Sequence, residues 1–527
     1  MRFALVMMLA AATGYLSLSQ EILWVNVLSS ADQGRPVAFA HVLGVFLIGI
    51  ALGALLGRRV QEALRMHVLT YIASMLAISA LGFFWAFPVG GYALTLSKGW
   101  GLLVLHLAVL CVAFMTGGIF PALCHYGVRS GTSVGLSVSW IYLANILGAT
   151  VGPLATGFVL LDLEPVENVV MILSFVSLML AEVIWLAAPI SPKAKLGFLG
   201  SAVCAMAVLL PLHGWAYRDF LEKVHFNTEY SSFAPQTYLY LEQSRSGVVG
   251  VWPPDLLYGD GVYDGRFSLD PALNSNLITR AYFLPALHPH PRRVFMVGLG
   301  SGSWARVLAD YPEVEALTVV EINPAYLEVI ARFPDIATVL EDPKVKIVID
   351  DGRRWLNRHP DARFDAIVMN VTFHWRGQAT HVLSEDFLRL CKARLNPGGL
   401  VYYNATWSED AFYTAAHVFH YLARYVNFVA ASDRPFDMSE EDKRRNLMKF
   451  YRDGRPVFDG DASAVREALV AVETPNLADG LRSAPGLWRI TDDNMATEFK
   501  ICASGRWWRS LPERLYRPEK RWARALF

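Results

Sequence analysis

Val294-Phe295-Met296-Val297-Gly298-Leu299-Gly300-Ser301-Gly302-Ser303 is the stretch that decides how this chain is read. Four apolar residues read as a buried strand. The glycines that follow let the backbone turn sharply and pass close to a ligand. A helical pattern begins at Trp304, with Arg306 on its solvent side. Leu317 to Val320 is a second apolar run and ends in Glu321. Val345 to Ile349 is a third and ends in Asp350-Asp351-Gly352. Strand, glycine loop, helix and acid-terminated strand make a nucleotide-type βαβ unit. An acid ending the second strand can accept both hydroxyls of a ribose. An acid ending the third can accept from an adenine amino group. Gly298, Gly300, Ser301, Gly302, Glu321, Asp350 and Asp351 are therefore the candidate nucleoside-binding residues. The competing reading is a doubly wound domain with ordinary turns and solvated acids.

Working outward, Phe364 to Met369 is a fourth strand and ends at Asn370. Ser384 to Leu395 reads as a helix with Ser384 as N-cap. Leu400 to Tyr403 is a fifth strand, Ser408 to Arg424 a helix, and Val426 to Val429 a further strand. This alternation predicts a parallel sheet with its ligand at the carboxyl ends, where Glu321, Asp351 and Asn370 gather. Upstream, residues from about Phe226 to Phe267 are short strands punctuated by glycine and proline, a small antiparallel unit. Asn276 to Leu287 has a helical pattern. His288-Pro289-His290-Pro291 has no acid or cysteine beside it and reads as a loop, not a metal site.

The 527 residues are 54% hydrophobic and only 18% charged, against about 25% charged in a typical soluble protein. Part of the chain therefore lies in lipid. Seven apolar stretches fill the first 215 residues: Phe3–Val27, Val37–Leu56, Val68–Val89, Leu102–Leu123, Val134–Leu161, Val169–Ala188 and Leu196–Leu212. Each is near the ~20 residues a helix needs to cross a bilayer. Gly49, Gly53 and Gly57 share a helix face, as do Gly148 and Gly152, which suits close helix packing within one bundle or, alternatively, a homodimer. Glu21 and Glu182 sit inside apolar stretches, either on a proton or cation path or near helix ends and paired with a hydroxyl or a histidine such as His106. Arg58, Arg59, Arg65, Arg129, Lys193 and Lys195 fall in alternate loops and point to a cytoplasmic N-terminus. Seven spans would then put the second half outside, against the cytoplasmic supply of nucleosides. A non-spanning or re-entrant segment reconciles the two.

The net charge of zero gives no global field for nucleic acid. Five cysteines form no paired metal spacing. The run 506–524 carries seven basic residues with Trp507, Trp508 and Trp522, a composition for an anionic membrane surface. The expected architecture is an N-terminal all-α polytopic membrane bundle (1–215), a linker and small antiparallel β unit (216–290), an α/β Rossmann-like domain of methyltransferase type (291–440) and a C-terminal extension (441–527).

Several motifs together resemble the spermidine and spermine synthases over roughly Gly247 to Val429. They are Asp260-Gly261, the glycine loop, Val320-Glu321-Ile322, Asp351-Gly352, Phe364-Asp365, Leu383-Ser384-Glu385 with Phe387, and Pro397-Gly398-Gly399. The attached apolar half looks like the bacterial membrane-fused group of such proteins, and Asn145-Ile146-Leu147-Gly148 looks like a shortened transporter of the major facilitator class. The resemblance implies a multi-pass protein of the bacterial inner membrane with a cytoplasmic catalytic domain. It also implies S-adenosylmethionine or its decarboxylated form as group donor, with no metal.

The chain departs from that pattern where the acceptor binds. The family ends its fourth strand in an aspartate-serine-serine-aspartate run, whose first acid helps bind and deprotonate the attacking amine. Here it is Asn370-Val371-Thr372-Phe373. The family's tyrosine-histidine-glutamate run aligns with Asn274-Ser275-Asn276, and Ser301 stands where an aspartate is common. An amide is no general base at neutral pH. His374 as base, Arg376 as anion holder and Trp375 as a surface that stacks a substrate or touches lipid are the candidate replacements, beside Asn370; the competing reading is a loop packed by two aromatics with a solvated arginine. Asp492-Asp493 can lend an acid by folding back. The reading is a membrane-bound transferase moving an aminopropyl or methyl group to a small amine or lipid-like acceptor. The alternative is a non-catalytic transporter or sensor with a degenerate ligand-binding domain.

Overall fold

The computed structural model describes residues 2–128, 131, 133–230, 237–370, 373–452, 454–458, 472–473 and 476–500. Arg129, Val371, Thr372 and the basic run 506–524 lie outside the described residues. The chain divides into two compact units, one of residues 1–237 with 243–247, the other of 238–242 with the chain from 248 onward.

The first unit contains seven helices long and apolar enough to cross a membrane: Phe3–Ala31, Pro36–Ala63, Val68–Leu96, Lys98–Gly127, Val134–Leu163, Val166–Ala187 and Pro192–Ala216. They coincide with the seven apolar stretches. In lipid a helix is the structure that satisfies every backbone donor within its own segment. Two of them are irregular. The fourth breaks at Gly118 between Lys98–Gly117 and Ile119–Gly127. The fifth passes through a π turn, Thr156–Leu160, just after Pro153, where proline removes a donor and displaces a carbonyl.

The glycine faces are used for contacts within one chain. A Cβ at Gly148 would stand 1.8 Å from the Ala11 carbonyl oxygen, and one at Gly152 2.4 Å from that of Tyr15. Across the same interface a Cβ at Gly14 would meet the Asn145 oxygen at 2.4 Å, and Asn145 Nδ2 donates to the Ala10 carbonyl at 3.1 Å. Gly53 meets the Phe114 carbonyl in the same way, at 2.0 Å. Glu182 is buried, and neither of its carboxylate oxygens has a hydrogen-bond partner among the described residues. His106 is turned to the Leu102 carbonyl.

β1 (Tyr240–Ser244), β2 (Gly247–Trp252), β3 (Leu256–Gly259) and β4 (Val262–Arg266) form a four-stranded sheet in that order. Asp260 and Gly261, at φ +49° and +74°, make the two-residue turn between β3 and β4, the geometry that matches strand twist. The large sheet comprises β5 (Arg293–Val297), β6 (Ala316–Glu321), β7 (Val345–Ile349), β8 (Phe364–Met369), β9 (Leu395–Asn404), β10 (Tyr421–Tyr425) and β11 (Phe428–Ser432). After the two-stranded β12 (Tyr451–Arg452) and β13 (Arg455–Pro456), β14 (Val472–Glu473) joins it too. The order is β14-β10-β11-β9-β8-β5-β6-β7. Strands β7, β6, β5, β8 and β9 are parallel, and β11, β10 and β14 are added antiparallel. Along β5, Val294 and Met296 join one core with Trp304 and Leu308, while Phe295 and Val297 join another with Leu356 and Phe387. Cover on both faces is why the central strands read as unbroken apolar runs.

Three expectations are corrected. Ser408 to Arg424 is not one helix: the helix is Glu409–Ala416, and Tyr421–Tyr425 is β10. Its pairing with β11 through Val426, at φ +54°, overrides the local helical pattern. Asn276 to Leu287 is broken into short turns because Asn274, Asn276 and Leu277 are left-handed. Arg306 does not face solvent; it pairs with Asp310 at 2.6 Å and Asp342 at 3.3 Å.

Gly148→Val should destabilise the first unit by roughly 1–3 kcal/mol, the cost of overpacking a filled interface. Gly44→Val, where nothing lies within 4 Å of the added atom, should be neutral. Thermal unfolding of the detergent-purified protein reads both. Equal midpoints for the two variants would mean that the helices do not meet at Gly148.

Candidate functional site

The parallel sheet changes direction between β5 and β8: the chain runs β5, β6, β7 to one side and returns to β8 and β9 on the other. In open α/β sheets ligands bind in the crevice outside the carboxyl ends at such a point. Here it is lined by the loop after β5 and by Asn370 after β8. Gly298, Gly300 and Gly302 have φ of +83°, +54° and +74°, which a side chain would strain. A Cβ at Gly298 would lie 3.7 Å from the Asn370 carbonyl oxygen. Ser301 is buried and donates to Ser303 Oγ at 2.9 Å.

Glu321 ties this loop to the end of β6. Its carboxylate accepts from Leu299 N–H at 2.7 Å and Asn323 N–H at 2.9 Å, and it is 4% exposed. Burial pushes the carboxyl above the usual range; the backbone donors of Asn323 and Leu299 pull it down, and nearby Asp264 raises it again. Each carboxylate oxygen can accept more than one hydrogen bond, so the loop contacts leave capacity for ligand hydroxyls.

At the end of β7 the two acids divide their work. Asp350 accepts from Asp351 N–H at 2.8 Å and pairs with Arg354 and Arg358. Burial works against its ionisation, but the Arg354 hydrogen bond and the Asp351 N–H outweigh it and hold the carboxyl below the usual range. Asp351 is the N-cap of helix Gly352–Arg358, accepting from Arg354 N–H at 2.7 Å. Asp492 does fold back, to Arg353 at 2.7 Å and to the Ser384 hydroxyl at 2.9 Å. Both contacts buttress the helices behind the strand ends.

Beyond β8, His374 is 2% exposed and both ring nitrogens are engaged. Nδ1 lies 3.0 Å from Thr406 Oγ1, and Nε2 lies 3.0 Å from the Lys500 carbonyl oxygen. Nδ1 also lies 3.0 Å from the Thr406 carbonyl oxygen, and Thr406 Oγ1 accepts from the His374 backbone N–H at 3.0 Å, so both ring nitrogens face carbonyl acceptors. Burial lowers its pKa, and the hydrogen bonds to Lys500 and Thr406 offset part of that. Arg376 donates to Asp260 Oδ2 at 3.0 Å, so a protein carboxylate already holds the guanidinium expected to take an anion. Asn370 Oδ1 lies 3.4 Å from Asn404 Nδ2. Asn404 Oδ1 in turn accepts from Asn427 Nδ2 at 2.8 Å, and Asn427 Oδ1 from the buried Arg280 at 2.9 Å. The end of β8 thus leads into a chain of amides.

Two residues that the sequence reading passed over meet beside this crevice. Tyr326, in the helix Ala325–Ile330 that follows Glu321, donates its hydroxyl to Asp264 of β4. Burial pushes the Asp264 carboxyl up, against the Tyr326 hydrogen bond and the Arg376 charge. The available signal was Asp264 itself, a residue type depleted from strands in the middle of Val262-Tyr263-Asp264-Gly265-Arg266.

Residues 282–436 match the family described as the spermine/spermidine synthase domain. The second unit therefore carries a spermidine synthase-like domain. The chain is similar to the polyamine aminopropyltransferase of Corynebacterium efficiens, 25% identical over 434 residues that cover 79% of this chain and 78% of the relative. It is also similar to that of Mycobacterium tuberculosis, 26% identical over 419 residues, 76% of each chain. Both alignments are longer than everything after residue 215, so the likeness extends into the apolar half. Among solved structures, spermidine synthase from Thermotoga maritima is 20% identical, with 44% of this chain and 83% of that one covered at a TM-score of 0.35. Among the described residues no group of three or more His, Cys, Asp or Glu could hold a metal ion.

His374→Ala should act on stability. It unmakes buried hydrogen bonds that contribute about 1–3 kcal/mol and should free the 476–500 segment to limited proteolysis while nucleoside affinity stays within two-fold. A His374→Ala protein with wild-type protease resistance and a lost acidic limb in its pH–rate profile would instead make His374 the base.

Proposed function

We propose that the second unit binds an adenosyl sulfonium, S-adenosylmethionine or its decarboxylated form, and transfers an alkyl group from it to a small acceptor. The single observation that carries the reading is Glu321, buried at the end of β6 and hydrogen-bonded into a loop of three left-handed glycines at the point where the sheet reverses. The spermine/spermidine synthase match over residues 282–436 supports the same reading. Glu321 takes the ribose hydroxyls, Asp351 the adenine amino group, and Gly298, Gly300 and Gly302 let the backbone approach the nucleoside. The acceptor nitrogen attacks the carbon bound to sulfur; the C–S bond breaks, its electron pair returns to sulfur, and the acceptor's proton leaves to a base or to water. In such an in-line displacement, positioning supplies much of the rate. The seven apolar helices hold this unit at a membrane.

Isothermal calorimetry with S-adenosylmethionine, its decarboxylated form and 5′-methylthioadenosine tests the nucleoside site. Glu321→Ala should weaken binding roughly ten- to hundred-fold, from about 1.5–3 kcal/mol per charged hydrogen bond. Asp351→Ser keeps an N-cap hydroxyl and should lose less. Glu315→Ala, in an exposed pair with Arg292 at 3.7 Å, should be silent. No binding by the wild type, or equal affinity in Glu321→Ala, would leave the glycine loop as a turn and no more.

The acceptor differs from a plain diamine. Asn370 offers an amide, which neither neutralises an ammonium nor removes its proton. Putrescine with decarboxylated S-adenosylmethionine should therefore turn over far below the ordinary enzyme range of about 1–10³ per second; turnover inside that range would restore a plain spermidine synthase. The tied-up His374 and the amide chain at Asn370 favour one second reading, a ligand-binding sensor domain without turnover. It differs from the first in binding the nucleoside without consuming it.

A further inference from the structure

We propose that Asp264, positioned by Tyr326, is the carboxylate that receives an ammonium group on the chain attached to the nucleoside's sulfur. The proposal rests on the nucleoside reading and gives that same site its cation anchor.

Three separate segments converge on this carboxylate. β4 lies alongside the glycine loop: a Cβ at Gly300 would be 3.9 Å from the Asp264 carbonyl oxygen, and one at Gly265 4.0 Å from Ser301 Oγ. The helix after Glu321 supplies Tyr326, whose hydroxyl donates to Asp264 Oδ2. The segment after β8 supplies Arg376. A Cβ at Gly259 would find Tyr326 Oη at 2.8 Å, Asp264 Oδ2 at 3.6 Å and Arg376 Nη1 at 3.9 Å, so all three polar ends lie around one point. A side chain at residue 259 would push into that group.

The charges around this point do not balance. Arg376 is paired with Asp260 at 3.0 Å. Asp264 has a phenol as its hydrogen-bond donor, and burial with Asp264 and Glu321 beside it holds that phenol protonated, its pKa well above the usual tyrosine value. Asp264 acts electrostatically on Glu321. Arg376 also acts on Asp264, so one guanidinium serves both Asp260 and Asp264, and with Glu321 the acids outnumber it beside the loop where the sulfur-linked chain of a nucleoside bound by Glu321 would emerge. A buried carboxylate is stabilised by a cation that reaches it. The sequence supplies the complementary fact: Ser301 and Asn370, on either side of the crevice, carry no charge. Asp264 approaches the same loop from the neighbouring sheet.

The test compares two neutral-sulfur nucleosides that carry on sulfur either a methyl or a 3-aminopropyl group, 5′-methylthioadenosine and S-adenosyl-3-thiopropylamine. Calorimetry is done on the full-length protein in detergent. The wild type should bind the amine-bearing compound at least ten-fold more tightly. Asp264→Asn, nearly isosteric, should bind both alike with its methylthioadenosine affinity unchanged. Tyr326→Phe should reduce the preference by a smaller factor. A preference that survives in Asp264→Asn overturns the proposal and leaves the nucleoside reading standing. Loss of both ligands in Asp264→Asn gives the residue a structural part and overturns it as well. Failure of the wild type to bind either compound overturns the nucleoside reading, and this proposal with it.

Discussion

The site depends on one carboxylate making two backbone hydrogen bonds. Glu321 accepts from Leu299 in the glycine loop and from Asn323 at the start of the next helix. Gly298 N–H adds a bond to the Val320 carbonyl at 2.9 Å. Without these contacts a loop of glycines would be free to sample many shapes, because glycine loses more conformational freedom on ordering than any other residue. With them, the loop is held against β6 and the crevice has a defined wall. A buried acid is costly unless it is hydrogen-bonded, so the same contacts that order the loop also keep Glu321 in place.

Around that wall the electrostatics are rearranged. The end of β8 is neutral, an amide chain from Asn370 through Asn404 and Asn427 to Arg280. Negative charge enters from the small sheet instead, at Asp260 and Asp264. The loop after β8 is packed under the C-terminal segment: His374 meets the Lys500 carbonyl, and Lys500 itself pairs with Asp410 at 2.6 Å. A histidine next to a crevice reads as a base in sequence. Here it is a tie between two segments 126 residues apart in the chain.

The unit of seven long apolar helices obeys a different constraint. Small residues let helix backbones approach closely. Gly14, Gly148 and Gly152 bring the first and fifth helices together, and Gly49 and Gly53 bring the second against the fourth. Buried Glu182 lies among other buried polar side chains of these helices, such as Gln20, Ser79 and Ser174.

Local sequence by itself determined the elements whose cause is local. Seven apolar stretches of about bilayer length had one stable outcome, and a buried strand opening into three glycines had nearly as few. Acids at successive strand ends could be placed at one edge of the sheet because parallel strands all present their carboxyl ends together. Tertiary structure decided everything set by partners distant in the chain. It turned Tyr421–Tyr425 into a strand because β11 was there to pair with it. It tied His374 to Thr406 and Lys500 through both its ring nitrogens. It brought Asp264 and Tyr326, 62 residues apart, to one hydrogen bond, since no spacing rule relates a strand of one sheet to a helix beside another.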